Sequence, residues 1–147
     1  MKGAAQVTVP GTFRKAVEAK DLSAITGSLD PGIEFHSPVM VKPYHGRDSV
    51  AALLGVLLEV FEDFHYTDEL VSADRPDAPA QALIFNARVL GKAVQGLDLL
   101  RFGDNGLVTG LTVMVRPLPA AMTLARAVGR RMEAAEGPGG PSGTAHL

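Results

Sequence analysis

Apolar positions spaced three and four apart give way, partway along the chain, to positions spaced two apart. That change of period orders the predicted elements. Phe13, Ala16 and Val17, then Leu22, Ile25 and Leu29, recur at helical spacing, which predicts a helical hairpin over residues 11–29. Asp21 suits the N-cap of its second helix, and Asp30-Pro31-Gly32 has the chemistry of a turn that stops it. A short strand is expected from Ile33 to Ser37, ended by Pro38, which has no N–H to give a ladder. From Gly46 to Glu62, the residues Val50, Leu53, Leu54, Leu57, Leu58 and Phe61 follow the i, i+3, i+4, i+7 pattern of one long helix. Asp48 lies in its first turn, where the helix dipole favours an anion. The polar stripe of this helix is narrow, so it is expected to be covered on most sides.

After Glu62 the period drops to two. Strands are predicted at Phe64–Val71, Gln81–Leu90, Ala93–Phe102 and Leu107–Val115, joined by turn-rich residues 72–80, by Gly91-Lys92 and by Gly103-Asp104-Asn105-Gly106. Strands in succession with short turns imply an antiparallel meander. Residues 116–119 break the last strand. Ala120–Glu136 returns to helical spacing, with Met122, Ala125, Val128, Gly129 and Met132 on one side. The domain is thus expected at 11–118, after an extension at 1–10 and before a helix at 119–136. Residues 137–147, rich in glycine and proline, are expected to be disordered.

Composition narrows the classes. At 147 residues and 46% hydrophobic, the chain suits one domain with its own core. A net charge of −2 offers no field for a nucleic-acid backbone. No apolar run approaches the roughly eighteen residues of a spanning helix, and no secretory leader pattern opens the chain. Absent cysteine removes disulfides, thiolates and zinc–cysteine clusters. His36, His45 and His65 lack metal-ligand spacing, and no HExxH, GxGxxG or P-loop occurs. The expectation is a cytoplasmic protein with no metal or cofactor, and with neither nucleic acid nor membrane as partner.

Four segments together carry a resemblance: AVEAKDLSAI (16–25), IEFHSPV (33–39), YHGRDSVAALL (44–54) and GLDLLRFGDNGLVTGLTVMVRP (96–117). In this order, over Thr12–Pro117, they resemble the NTF2-like superfamily and its SnoaL-like domains. The resemblance implies an α+β cone: a curved antiparallel sheet packed on a long helix and an N-terminal helical hairpin, here with an extra C-terminal helix. It also implies an apolar pocket between sheet and helices, and a homodimer through the sheet's outer face. The superfamily holds proton-transfer enzymes (steroid isomerases, polyketide cyclases, dehydratases, epoxide hydrolases) and members without catalysis, so the site must be argued separately.

Asp98 is the candidate catalytic residue. It stands between leucines in a predicted strand and shares a face with Leu100 and Phe102. The similar strand of ketosteroid isomerases carries an aspartic acid kept neutral by an apolar site, able to donate to a developing oxyanion. A carboxylate paired with Arg101 or Lys92 at the strand edge is the alternative. The rest of that machinery is missing: the tyrosine position is Phe13, and the base position is Ser37, whose hydroxyl takes no proton without a neighbouring base. Asp98 and Arg101, three apart, face opposite ways, so an epoxide-hydrolase set is incomplete as well. His36 and Ser37 diverge as neighbours in a strand, which puts His36 on the outer face.

The remaining pocket candidates are Phe35, Ser37, Phe61, Tyr66 and Phe85, with Leu100, Thr112, Met114 and Arg116 on later strands. Arg116 suits an anionic ligand group or solvent. Tyr44 could line the entrance or pack on its loop, and His45 is expected to be exposed. The leading expectation is a binder of a small hydrophobic molecule. The alternatives are a cyclase, isomerase or dehydratase using Asp98 as acid or oxyanion donor, and a non-catalytic protein-interaction module.

Overall fold

The computed structural model describes residues 11–74 and 79–136; the expected extension at 1–10 and tail at 137–147 lie outside them. Helix α1 (Thr12–Glu18) buries Phe13, Ala16 and Val17. Its end is a Schellman motif: the Asp21 N–H donates to the Ala16 carbonyl at 3.0 Å and the Lys20 N–H to Val17 at 2.9 Å. Lys20, not glycine, takes the left-handed conformation this motif requires, with φ 55°. Asp21 caps α2 (Leu22–Gly27), its carboxylate accepting from the Ala24 N–H at 3.1 Å.

Leu29 and Asp30-Pro31-Gly32 belong not to that helix's end but to strand β1 (Leu29–His36). The pairing register of β1 slips between Leu29 and Glu34. The Gly32 N–H donates to Asp30 Oδ2 at 2.8 Å, so the turn chemistry forms a kink inside the strand. Short strand β2 (Tyr44–His45) returns beside β1. Gly46, at φ 92° and ψ 147°, then redirects the chain into α3 (Arg47–Val60), a conformation a side chain would clash with. Val50, Ala51, Leu53 and Leu54 are buried, and α3 is packed by α2, α4, β1 and β2, which accounts for its narrow polar stripe.

The meander follows as β3 (Glu62–Val71), β4 (Ala80–Val89), β5 (Lys92–Phe102) and β6 (Val108–Arg116), and α4 (Leu118–Glu136) completes the chain. The sheet order is β2-β1-β6-β5-β4-β3, antiparallel throughout except where β1 runs parallel to β6. The β4–β5 turn lies one residue earlier than Gly91-Lys92 implies, with Leu90 at φ 48°. Helix α4 packs on α3 and on β4, β5 and β6. Its buried side carries Ala120, Ala121, Leu124 and Val128, while Met122 turns outward at 48% exposure. No helix among the described residues is long and apolar enough to cross a membrane.

Candidate functional site

Between the concave face of the sheet and α1, α3 and α4 lies a cavity of about 100 Å³. Helix α3 gives it Leu53, Leu54, Leu57 and Leu58, each at a position its helical spacing turns inward. Helix α4 closes one side with Leu124, Ala125 and Val128. Aromatic rings form much of the wall. Phe64 stacks on Phe85 with centroids 4.7 Å apart, and Phe61 meets Phe85 edge-on at 5.4 Å. Such pairs hold their geometry at about 0.5–1.5 kcal/mol each beyond area burial. The Phe85 ring lies over Gly96, its cross-strand partner; a Cβ there would sit 2.1 Å from the ring. The missing side chain at Gly96 is what lets Phe85 lie flat against the sheet.

Asp98 is the buried acid of this enclosure, 8% exposed, whereas Glu18 and Lys20 line it from its solvent-exposed edge. Neither Arg101 nor Lys92 pairs with Asp98. Its partner is Tyr66 of β3, whose hydroxyl donates to Oδ2 at 2.9 Å. Burial pushes the Asp98 carboxyl up from its ordinary value of 3.8 to about 7, opposed in part by the Tyr66 hydrogen bond, which favours the anion. The Tyr66 hydroxyl is pushed far above its ordinary value, first by burial and then by the Asp98 charge. Near neutral pH the carboxyl is therefore divided between acid and anion. As acid it can donate a hydrogen bond from Oδ1 to a bound oxygen, and as anion it can only accept one.

Tyr66 is braced from outside. The Arg14 guanidinium lies 5.4 Å from its ring centroid and is held by Glu18 at 3.1 Å and Glu69 at 2.9 Å. The β3–β4 register slips between Tyr66 and Asp68, so a bulge follows directly after Tyr66. Nothing in the alternation of β3 alone marks Tyr66 as the partner of Asp98, because that contact spans two strands.

Phe35, Ser37, Phe61, Tyr66, Phe85 and Asp98 all line the cavity. Tyr44 lines it as well and meets Phe35 edge-on at 6.0 Å. Four expected residues do not line it. Leu100 is fully buried on the same face as Asp98 but lies in the packed core beyond the cavity. Thr112, Met114 and Arg116 sit on the outer face of the sheet. Directly opposed residues share a face, and Asp98 pairs with Val113 and Leu100 with Leu111. Leu111 and Val113 therefore turn inward, and the alternate set turns out. Arg116 reaches Gln95 on that outer face at 3.4 Å.

Ser37 keeps its hydroxyl oxygen occupied, accepting from the Val39 and Met40 N–H groups at 2.9 Å each. His36 lies on the other face, its Nε2 2.9 Å from Glu34 Oε1, with His45 beyond at 3.7 Å from the same carboxylate. Histidine and serine do not meet. No cluster able to hold a metal ion occurs among the described residues.

The sequence profile of the SnoaL-like domain matches residues 11–111. The chain belongs to the SnoaL-like domain family. A steroid Δ-isomerase from Pseudomonas aeruginosa is 36% identical, with 84% of this chain and 88% of that one covered and a TM-score of 0.77. A protein of cystatin-like fold from Silicibacter pomeroyi is 29% identical over 88% of this chain and 91% of that one, with a TM-score of 0.79. A SnoaL-like protein from Burkholderia thailandensis, 21% identical over 72% of this chain and 89% of that one, shares the fold at a TM-score of 0.58. No functionally curated protein matches the chain. The kinked β1, the long α3 and the meander are thus the SnoaL-like scaffold, and its concave face is where Asp98 lies.

Proposed function

We propose that this SnoaL-like protein binds the apolar end of a small organic molecule in the cavity, with an oxygen of that molecule against Asp98. The observation that carries the reading is the buried carboxyl itself. An acid set among leucine and phenylalanine, with one tyrosine as partner, costs stability, and use by a ligand or a reaction is the reason to keep it. A cavity of about 100 Å³ suits one ring or a short chain, well under the roughly 300–1,000 Å³ of sites that enclose a whole drug-sized ligand. The test is a thermal-shift and NMR titration with cyclohexanone against cyclohexane. Cyclohexanone should stabilise the wild type more than cyclohexane, and Asp98→Leu should remove that difference. Equal effects of the two, or unperturbed Phe85 and Leu57 signals, overturn the reading.

Proton transfer is the second reading, favoured by a carboxyl whose burial sets it near 7, where acid and base forms are both present. The 36% identity to a steroid Δ-isomerase supports a shared scaffold. The isomerase route itself lacks its base, since the matching position is Ser37 and that oxygen is engaged with two backbone N–H groups. Asp98 as acid or oxyanion donor in a cyclisation or dehydration is compatible with the geometry. Loss of water from a cyclic β-hydroxyketone, giving the enone, with the wild type but not with Asp98→Asn is the measurement that would establish it. A homodimer through the outer sheet face, where Met114 is 52% exposed, belongs to the same proposal and is read by sedimentation.

A further inference from the structure

The cavity does not stand alone. A groove of about 700 Å³ runs between α4 and the Pro38-Val39 loop, reaching Val115 of β6, and it shares Pro38, Val39 and Ala125 with the cavity lining. The wall between the two spaces is therefore a loop edge and one helical residue. A ligand larger than one ring cannot be enclosed in about 100 Å³, so its remainder must emerge somewhere. The groove adjoins the cavity and has sufficient size. Its floor is apolar where Leu118, 71% exposed, and Met122 offer unpartnered side chains.

Its rim is cationic. Arg126 and Arg130 stand one turn apart on the same face of α4, and both line the groove. The arginine ion pairs among the described residues use Arg14, Arg88 and Arg131, and none uses Arg126 or Arg130. Glu133 also lines the rim and is itself engaged in an interaction, which leaves two guanidinium groups against one carboxylate. Planar guanidinium forks match a carboxylate or phosphate better than any neutral group.

We propose that cavity and groove form one composite site for an anionic amphiphile, with its apolar end inside against the aromatic wall and its carboxylate or phosphate on Arg126 and Arg130. The proposal rests on the reading of the cavity as a ligand site and adds the charge of the ligand and the residues that hold it.

Calorimetric titration of the full chain with octanol, octanoate and octyl phosphate tests it, and the two anions separate a carboxylate from a phosphate source. Either anion should bind at least tenfold tighter than octanol. Arg126→Gln with Arg130→Gln should bring that anion down to the octanol level and leave octanol unchanged, as should molar salt. The cavity-filling variant Leu58→Trp should weaken all three. Anions no tighter than octanol, or an advantage that survives the double glutamine variant, overturn the composite site while octanol binding keeps the cavity reading intact. Anion binding untouched by Leu58→Trp assigns the anion to the groove alone and overturns it too. A change in sedimentation of the arginine variants without a change in ligand preference assigns the groove to a second copy and likewise refutes the proposal. If none of the three binds the wild type, both readings fall.

Discussion

Tyr66 and Asp98 touch across an intervening strand. Tyr66 is on β3 and Asp98 on β5, with β4 between them, yet the hydroxyl reaches Oδ2 at 2.9 Å. Two strand spacings amount to about 9–10 Å in a flat sheet. The contact is made over the top of β4, where Leu83 opposes Asp98 and Phe85 opposes Tyr66. A hydrogen bond of this kind ties the edge strand to the sheet's interior and gives the buried carboxyl its one side-chain donor among the described residues.

Asp98 should make stability fall as pH rises through the weakly acidic range. The folded carboxyl keeps its proton to about pH 7, whereas the unfolded one releases it near 3.8. Between these values the folded state binds the extra proton, so its advantage is full below 3.8 and is gone above about 7. The difference is on the order of 4 kcal/mol. Asp98→Asn should therefore be more stable than wild type at pH 8, with the gap closing by pH 4. Urea unfolding at pH 4, 6 and 8 reads it, and a gap independent of pH would show that Asp98 does not titrate there.

Removing the tyrosine hydroxyl acts in the opposite sense on the anion. The Tyr66 hydrogen bond lowers the Asp98 value, so Tyr66→Phe should raise it further above about 7. The variant should also lose about 1 kcal/mol of stability. A carbon-detected NMR titration of the Asp98 carboxyl gives the shift directly, and a downward movement would contradict the assigned hydrogen bond.

Gly96 keeps space open by having no side chain. In Gly96→Ala the new Cβ meets the Phe85 ring at 2.1–2.7 Å, and ring or strand must move. The expected cost is about 1–3 kcal/mol, with Phe85 pushed toward the cavity and ligand affinity reduced. A variant structure with Phe85 unmoved would refute this account of the cavity floor.

Gln81 is fully buried, and neither polar atom of its side-chain amide has a hydrogen-bond partner among the described residues. It faces the core opposite Leu100. An unpaired amide in that position costs about 1–3 kcal/mol, so Gln81→Met, close to it in shape, should stabilise the fold by a similar amount. Chemical denaturation measures the gain, and a loss would mean the amide is paired in solution.

Much of this architecture could be read from spacing. The long α3, the meander turns and the Asp21 cap follow local rules of period and turn chemistry. Asp98 stood out because an acid between leucines is costly without a partner. What local rules could not supply was register. Thr112, Met114 and Arg116 alternate as cleanly as Leu111 and Val113, and only the pairing of Asp98 with Val113 decides which set turns inward. Asp30-Pro31-Gly32 carries a turn signal that the fold uses as a kink within β1, because Leu29 still pairs with Val108 on the far side of it. On α4, packing against three strands overrides the apolar stripe that Met122 suggests. The Tyr66–Asp98 contact is invisible to any pattern along the chain, since it joins residues 32 apart over a third strand.

The Ser37 turn has a consequence for how freely this scaffold can change its lining. Its oxygen is an acceptor for two backbone N–H groups, and an aspartate can fill the same capping role. Exchanging one for the other alters what the cavity wall can do with a proton while the loop keeps its shape. A carboxylate at this position is therefore separable from folding, and Ser37→Asp should change the lining while the vessel keeps its shape.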